Sequence, residues 1–244
     1  MTAIHTVEHR TEPAPAAADG GSVALRHVTK VYRLAEHSYV TAVRDLSLEV
    51  TPGEFLVITG RSGSGKTTLL NLAAGLTRPS TGEAWLDGVN LWALPDKQQS
   101  LLRNQKIGFI FQFPSLFGSL TALENVVLPT MFSPRQAKQG AYERAAELLD
   151  QVGLADKASA YPRQLSAGQQ KRVVIARSLV NRPHILLADE PTSDLDEQTE
   201  AEFMDLLREI HTKTRTTVLM VTHNRGLGSH ATRALEMANG AFVA

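Results

Sequence analysis

The chain has 244 residues, and its 25 basic and 25 acidic side chains leave a formal net charge of zero. This balance gives no electrostatic reason to expect nucleic acid as the main partner, because phosphate binding normally accompanies a basic excess. The absence of cysteine excludes disulfides and cysteine-ligated metals and fits a reducing cytoplasm.

The N-terminal residues 1–21 predict a flexible tail. They lack the apolar segment of a signal peptide, and positions 11–21 (TEPAPAAADGG) are rich in proline, alanine and glycine. We expect residues 22–244 to form the folded domain. No apolar run approaches the roughly 20 residues that cross a bilayer, so any membrane-spanning part would belong to another chain.

Short apolar segments alternate with helical patterns along the rest of the chain. Residues 23–50 alternate between apolar and polar, as strands with one buried face do, and Pro52-Gly53 indicates a turn. Continuously apolar strands are predicted at 55–59, 107–111, 185–188 and 218–222, and helices at 67–74, over most of 116–149, at 165–180 and around 203–210. The alternation predicts an α/β fold with a buried parallel sheet, a β-rich N-terminal part and a helical insert at about 113–165.

A glycine-rich loop joins the strand at 55–59 to the next helix. Its sequence, Gly60-Arg61-Ser62-Gly63-Ser64-Gly65-Lys66-Thr67, followed by Thr68, matches the phosphate-loop pattern in full. Glycines let several backbone N–H groups face one anion, and the helix adds its positive end. We predict that nucleotide phosphates bind to this loop and that the Thr67 hydroxyl ligates Mg²⁺. The alternatives are a flexible turn and a dinucleotide site, whose glycine spacing differs.

Two carboxylates, Asp189 and Glu190, directly follow the apolar segment 185–188. Ligands of parallel sheets lie beyond the carboxyl ends of the strands. Consecutive strand residues point in opposite directions, so we expect Asp189 to serve the magnesium site and Glu190 to polarise the attacking water. The alternative is a pair of solvated charges at the start of a loop. Kinases, GTPases and many ATPases all fit these features.

The segment Leu165-Ser166-Ala167-Gly168-Gln169-Gln170-Lys171-Arg172 narrows the choice. It resembles the signature motif of ATP-binding cassette (ABC) ATPases and lies between the phosphate loop and the acidic strand, as in that family. Read alone, Ser166 would be an ordinary helix N-cap. Further matches follow in the family's order: Tyr32 (with Tyr39 as the alternative) for the A-loop aromatic, Gln112 for the Q-loop, residues 193–196 for the D-loop and His223 for the switch histidine.

The resemblance covers residues 23–243 and implies a phosphate-loop NTPase fold of the ABC type. It would have a RecA-like core, an antiparallel N-terminal β part and an α-helical subdomain. Its implied assembly is a head-to-tail homodimer, in which Ser166, Gly168 and Gln169 of one subunit close over ATP and Mg²⁺ on the phosphate loop of the other.

The same resemblance implies roles for single residues. Tyr32 would stack on adenine and His223 would contact the γ-phosphate. Gln112 would sense the metal and the attacking water while linking to a membrane partner. The sequence departs from the family pattern at Ala167, where a second glycine is usual, and at Asn224, where aspartate is common.

The connecting segments resemble those of the LolD/MacB group, which serves lipoprotein release and macrolide export. The cues lie in an extended turn at 35–40 and at 75–82, 109–112, 120–126 and 187–192. This resemblance implies an ATPase that drives export or release through a separate permease, held at the inner face of the cell membrane. Two hypotheses stay open beside it: an FtsE-like ATPase that moves a membrane partner in division, and a soluble ABC ATPase of DNA repair or translation.

Overall fold

The computed structural model describes residues 21–35, 38–133 and 140–243, so the predicted tail lies outside the described residues except for Gly21. The strands are β1 (Val23–Ala35), β2 (Ser38–Val50), β3 (Phe55–Thr59), β4 (Thr81–Leu86), β5 (Val89–Asn90), β6 (Ile107–Ile110), β7 (Ile185–Asp189), β8 (Thr217–Thr222), β9 (Arg233–Ala238) and β10 (Ala241–Phe242). The α-helices are α1 (Lys66–Ala73), α2 (Asp96–Lys106), α3 (Ala122–Val127), α4 (Ala141–Gln151), α5 (Ala167–Leu179) and α6 (Glu197–Thr214). None of these helices is both long and apolar enough to span a membrane.

The strands form two sheets. An antiparallel sheet has the order β2-β1-β4-β5, and a second sheet has the order β10-β9-β3-β8-β7-β6. In the second sheet β3, β6, β7, β8 and β9 run parallel, and β10 is antiparallel to β9. The carboxyl ends of β3, β6, β7 and β8 therefore share one edge, which is where such sheets bind ligands.

Every residue of β3, β7 and β8 is buried, because both faces of the parallel sheet are covered. Leu56 and Ile58 pack in a cluster with α1 and the antiparallel sheet, whereas Phe55 and Val57 pack in a cluster with α5 and α6. This two-sided burial accounts for the continuous apolar runs in the sequence.

Helix α1 is short and depends on packing for its stability. It has eight residues, and Leu69, Leu70 and Leu72 are fully buried. An isolated helix of this length is unstable in water, whereas each buried leucine contributes about 1.5–3 kcal/mol. The same packing fixes the loop that precedes α1.

The described residues of 116–149 are mostly helical, as predicted, but they form separate helices. Only α3 and α4 are α-helical there, with a 3₁₀ turn at Leu128–Phe132 between them, and residues 134–139 lie outside the described residues. Helix α3 begins late because Thr121 and Glu124 form a capping box that fixes its first turn. Helices α3 and α4 pack on α5, and the limits of a helical insert at about 113–165 stay a prediction.

Other element bounds also differ from prediction. The extended turn at 35–40 is a hairpin whose strands pair as far as Ala35 and Ser38, with positions 36 and 37 outside the described residues. Helix α5 begins at Ala167 instead of Leu165, because Ser166 is its N-cap. Helix α2 and strands β4, β5, β9 and β10 were not predicted, since none of them carries a continuous apolar run.

Candidate active site

The loop between β3 and α1 is curled by glycine. Gly63 and Gly65 have φ angles of 78° and 105°, and a Cβ on Gly65 would lie 2.1 Å from the Ala42 carbonyl oxygen. Only glycine fits such a position without strain. The first turn of α1 has neither a side-chain cap nor an acidic residue, so its amides and the positive end of its dipole can face an anion.

The Lys66 side chain folds back onto the start of this loop. Its Nζ donates to the carbonyl oxygens of Gly60 at 2.7 Å and Arg61 at 3.2 Å. The same ammonium lies 3.4 Å from Glu190 Oε1, and the two side chains are only 6% and 13% exposed. Each charge offsets the cost of burying the other, and the pair links the phosphate loop to the end of β7.

Asp189 and Thr67 meet on the other side of the strand end. The Thr67 hydroxyl donates to Asp189 Oδ1 at 3.0 Å. Burial raises the pKa of the Asp189 carboxyl and Glu190 raises it further, while the Thr67 hydrogen bond and the Lys66 charge oppose the rise. A hydroxyl and a carboxylate are oxygen ligands of the kind that Mg²⁺ prefers.

The surrounding residues fit a phosphate–magnesium group. The described residues contain no cluster of three His, Cys, Asp or Glu side chains able to hold a metal, so phosphate oxygens and water would complete the coordination, as is usual for Mg²⁺. Ser64 Oγ is buried and has no hydrogen-bond partner within the described part of the chain. A phosphate oxygen would satisfy it.

Glu190 is held by the ends of two strands. Its φ is 45°, which is rare for a residue with a side chain, and its N–H donates to the Val221 carbonyl oxygen at 2.9 Å. Glu190 Oε2 accepts the His223 backbone N–H at 3.0 Å and lies 2.8 Å from His223 Nδ1. The carboxylate therefore lies between the Lys66 ammonium and the His223 imidazole.

These side chains meet at a cavity of about 580 Å³, a size typical of ligand pockets. Its lining consists of Tyr32, Ala42, Ser62, Gly63, Ser64, Gly65, Lys66, Thr67, Thr68, Gln112, Glu190 and His223. Gly60 and Asp189 are not part of the lining but accept hydrogen bonds from Lys66 and Thr67, which are. Arg61 lines a neighbouring cavity. The Lys30 ammonium lies 5.0 Å from the centre of the Tyr32 ring, while the alternative aromatic, Tyr39, is not part of the lining.

The residues of the signature segment lie at a different cavity, of about 420 Å³. It is lined by Ser166, Ala167, Gly168 and Gln169 together with D-loop residues Asp194, Leu195 and Asp196 and others. The two cavities have no lining residue in common. One chain therefore does not bring its own signature residues to its own phosphate loop.

Ser166 is the N-cap of α5. Its Oγ accepts the Gln169 N–H at 3.2 Å, and Gln169 Oε1 accepts the Ser166 N–H at 2.9 Å, which is a complete capping box. Ala167 is the first helical residue and is not among the residues with positive φ. Its methyl group therefore meets no backbone penalty where the family usually has glycine.

Sequence reasoning missed a polar network behind His223. Glu200 on α6 accepts from Asn224 Nδ2 at 2.9 Å and from the Thr192 hydroxyl at 2.6 Å. Asn224 Oδ1 accepts the Gly226 N–H at 2.9 Å. The unusual asparagine was the one available signal, because an amide, unlike a carboxylate, donates to Glu200.

Similarity to known proteins agrees with this geometry. Residues 43–193 match the ABC transporter family. The lipoprotein-releasing system ATP-binding protein LolD of Pseudomonas syringae pv. tomato is 43% identical over 92% of this chain and 98% of its own. This chain belongs to the ABC transporter family.

Two further comparisons describe its place among ABC proteins. The macrolide export ATP-binding/permease protein MacB of Agrobacterium fabrum is 38% identical over 91% of this chain, which spans 34% of MacB. The dimeric ATP-binding cassette MJ0796, bound to ADP and Pi in a post-hydrolysis state, has a TM-score of 0.83 and 40% identity, covering 91% of this chain and 97% of its own. The predicted ABC-type fold and ATPase activity are confirmed, and the FtsE-like alternative is not favoured.

Proposed function

We propose that this ABC ATPase hydrolyses ATP with Mg²⁺ as one half of a head-to-tail homodimer and so drives export or release of a substrate through a separate membrane permease. The chain would be held at the cytoplasmic face of the membrane by that permease. The names of the LolD and MacB relatives, a lipoprotein-releasing system and a macrolide exporter, support transport out of the cytoplasm.

The observation that carries the proposal is the placement of Glu190. Its carboxylate sits at the phosphate-loop cavity, fixed by Lys66 and His223. A carboxylate held in this way can accept a proton from water as that water attacks the γ-phosphate. Lys66, moving from Glu190 to the phosphates, would leave this carboxylate free to act as the base.

The remaining residues bind and orient the nucleotide. The amides of residues 60–68 and the Ser64 hydroxyl would hold phosphate oxygens, and Tyr32 would stack on adenine. Thr67 and Asp189 would hold Mg²⁺, with Gln112 completing the ligand set. Bound there, the ion neutralises charge on the β- and γ-phosphate oxygens.

Two copies are needed to complete each site. The signature residues line a separate cavity, so Ser166, Gly168 and Gln169 would contact ATP bound to a second subunit. The first turn of α5 lines that cavity, so its amides that the Ser166 cap does not use would face the bound phosphates. ATP would then bridge the subunits, and its hydrolysis would remove the bridge.

The decisive experiment is Glu190→Gln in the full chain. The variant should bind ATP like the wild type, and its turnover should fall by about 10²–10⁴-fold, because the general base is lost. With ATP and Mg²⁺ it should elute from gel filtration as a dimer that persists. Glu209→Gln is a matched control, since Glu209 forms an exposed ion pair with Lys213 on α6, away from the cavity lining.

Two outcomes would contradict the proposal. Wild-type turnover in Glu190→Gln would exclude Glu190 as the base. A variant that binds ATP and stays monomeric at every protein concentration tested would exclude the two-copy site.

A further inference from the structure

Among the residues that the structure describes, Lys171 on α5 carries the most buried charge outside the phosphate loop. Its side chain is 1% exposed, and its Nζ lies 2.9 Å from Asp194 Oδ1. The same Nζ donates to the backbone carbonyl oxygen of Gln112. A lysine is buried this deeply only when its charge is paired and its donors are used.

The two partners of Lys171 belong to different cavities. Gln112 lines the phosphate-loop cavity, whereas Asp194 lines the signature cavity. Both contacts are made by acceptor oxygens, which cannot hydrogen-bond to each other. The ammonium between them therefore makes a direct polar link from one cavity lining to the other.

Asp194 is also tied to the candidate base by a short turn. The Ser193 N–H donates to the Glu190 carbonyl oxygen at 3.3 Å, and the Leu195 N–H donates to the Thr192 carbonyl oxygen at 3.0 Å. A displacement of the D-loop would therefore shift the backbone of Glu190, which already has an unusual φ. Lys171 is placed to restrain this displacement.

We propose that Lys171 is a positioning residue that fixes the D-loop to the Q-loop at Gln112, so that the two nucleotide cavities of one chain adjust together. This inference rests on the proposed two-copy site, because only there do both cavities hold ATP. Lys171 acts through Asp194 and the Gln112 backbone and does not touch nucleotide itself. Without the ammonium, Asp194, whose side chain is 40% exposed, is solvated by water and the D-loop loses its anchor.

The test compares Lys171→Met with Asp194→Ala, Asp194→Asn and the double variant Lys171→Met/Asp194→Ala. Lys171→Met keeps the length and packing of the side chain without its charge. We expect kcat for ATP to fall about ten-fold in Lys171→Met and in Asp194→Ala, in the range of ordinary site-to-site coupling, with KM changing less than about two-fold. The double variant should be no slower than the slower single variant, because both remove one contact. Asp194→Asn, which keeps an acceptor oxygen, should retain most of the activity.

Hydrogen exchange gives a readout independent of turnover. The amides of 193–196 should exchange faster in Lys171→Met than in the wild type, while those of α6 stay unchanged. Lys213→Gln, which breaks an exposed ion pair on α6, should alter neither kcat nor exchange at the D-loop.

The outcomes separate this inference from the proposed function. If the wild type hydrolyses ATP and Glu190→Gln dimerises, while Lys171→Met keeps wild-type kcat or D-loop exchange, the positioning role is overturned alone. Additive effects of Lys171→Met and Asp194→Ala overturn it too. If the wild type hydrolyses no ATP, the proposed function fails, and the inference fails with it.

Discussion

Replacing Asn224 with aspartate tests whether the polar network behind His223 explains the departure from the family pattern. Asn224 Oδ1 is fixed by the Gly226 N–H, so the Nδ2 group must face Glu200 Oε1, 2.9 Å away. In Asn224→Asp a second carboxylate oxygen would take the place of this donor. The half-buried pair would change from a hydrogen bond to a like-charge contact.

The size of the effect follows from that distance. Two unit charges 2.9 Å apart repel by about 1.4 kcal/mol at the dielectric constant of water and by roughly 6 kcal/mol at an effective value of 20. The lost hydrogen bond to a charged group adds about 1.5–3 kcal/mol. Because the side chains can rotate apart or bind a proton, we expect a net loss of about 2–3 kcal/mol in the free energy of unfolding at pH 8.

The pH dependence of stability distinguishes the effect of the added charge from that of the lost hydrogen bonds. Glu200 should raise the pKa of the introduced carboxyl above its unfolded value of about 4. An acid with a raised folded-state pKa destabilises fully above that pKa, and the penalty disappears as the pH falls below the unfolded value. Thermal unfolding should therefore show a smaller deficit for Asn224→Asp at pH 5 than at pH 8. Asn224→Ala, which loses the hydrogen bonds without adding charge, should show a deficit that does not change with pH.

A compensating change completes the experiment. In Asn224→Asp/Glu200→Gln the glutamine amide can donate to the new carboxylate, so most of the lost stability should return. A deficit of less than about 0.5 kcal/mol for Asn224→Asp at pH 8 would be an ordinary surface effect and would refute the network. So would an equal deficit at the two pH values.

Two further predictions concern the phosphate loop. Gly65→Ala should unfold at a lower temperature than Gly63→Ala. Both glycines have positive φ, but only at Gly65 would the new methyl group meet a backbone oxygen, that of Ala42, at 2.1 Å. Equal unfolding temperatures would contradict this close approach. Thr67→Val should lose Mg²⁺-dependent ATP hydrolysis while Thr67→Ser keeps it, because serine retains the hydroxyl and valine replaces it with a methyl group. A magnesium titration with the same midpoint and amplitude in Thr67→Val and the wild type would remove this hydroxyl from the metal site.

The parts of the site that the sequence predicted are those encoded within one short segment. The phosphate loop needs glycines and a helix start, and Gly65 with φ 105° and Lys66 at the first position of α1 follow directly from that pattern. The buried strands were found for a similar reason, since burial on both faces leaves a continuous apolar run. The predicted starts of helices α3 and α5 were wrong because side-chain caps at Thr121 and Ser166 set where these helices begin.

The parts that sequence reasoning missed depend on contacts between distant positions. The Lys171–Asp194 pair joins residues on α5 and in the D-loop, and the Glu200–Asn224 pair joins α6 to the loop after β8. Lys171, Asp194 and Asn224 lie in or beside recognised motifs, but the sequence does not indicate which distant side chains they contact. Strands β9 and β10 were missed because their pairing, and not their apolar content, makes them strands.

The backbone at Glu190 shows why two adjacent acids can have separate tasks. Alternation along β7 ends at Asp189, whose buried carboxyl accepts from Thr67. Glu190 leaves the strand with φ 45°, and its N–H is held by Val221 at the end of β8. This turn directs the Glu190 carboxylate to His223, the residue after β8, and keeps the carboxylate 3.4 Å from the Lys66 ammonium. The separation of the two carboxylates therefore depends on the pairing of β7 with β8, so substitutions that disturb the buried ends of these strands should impair hydrolysis more than nucleotide binding.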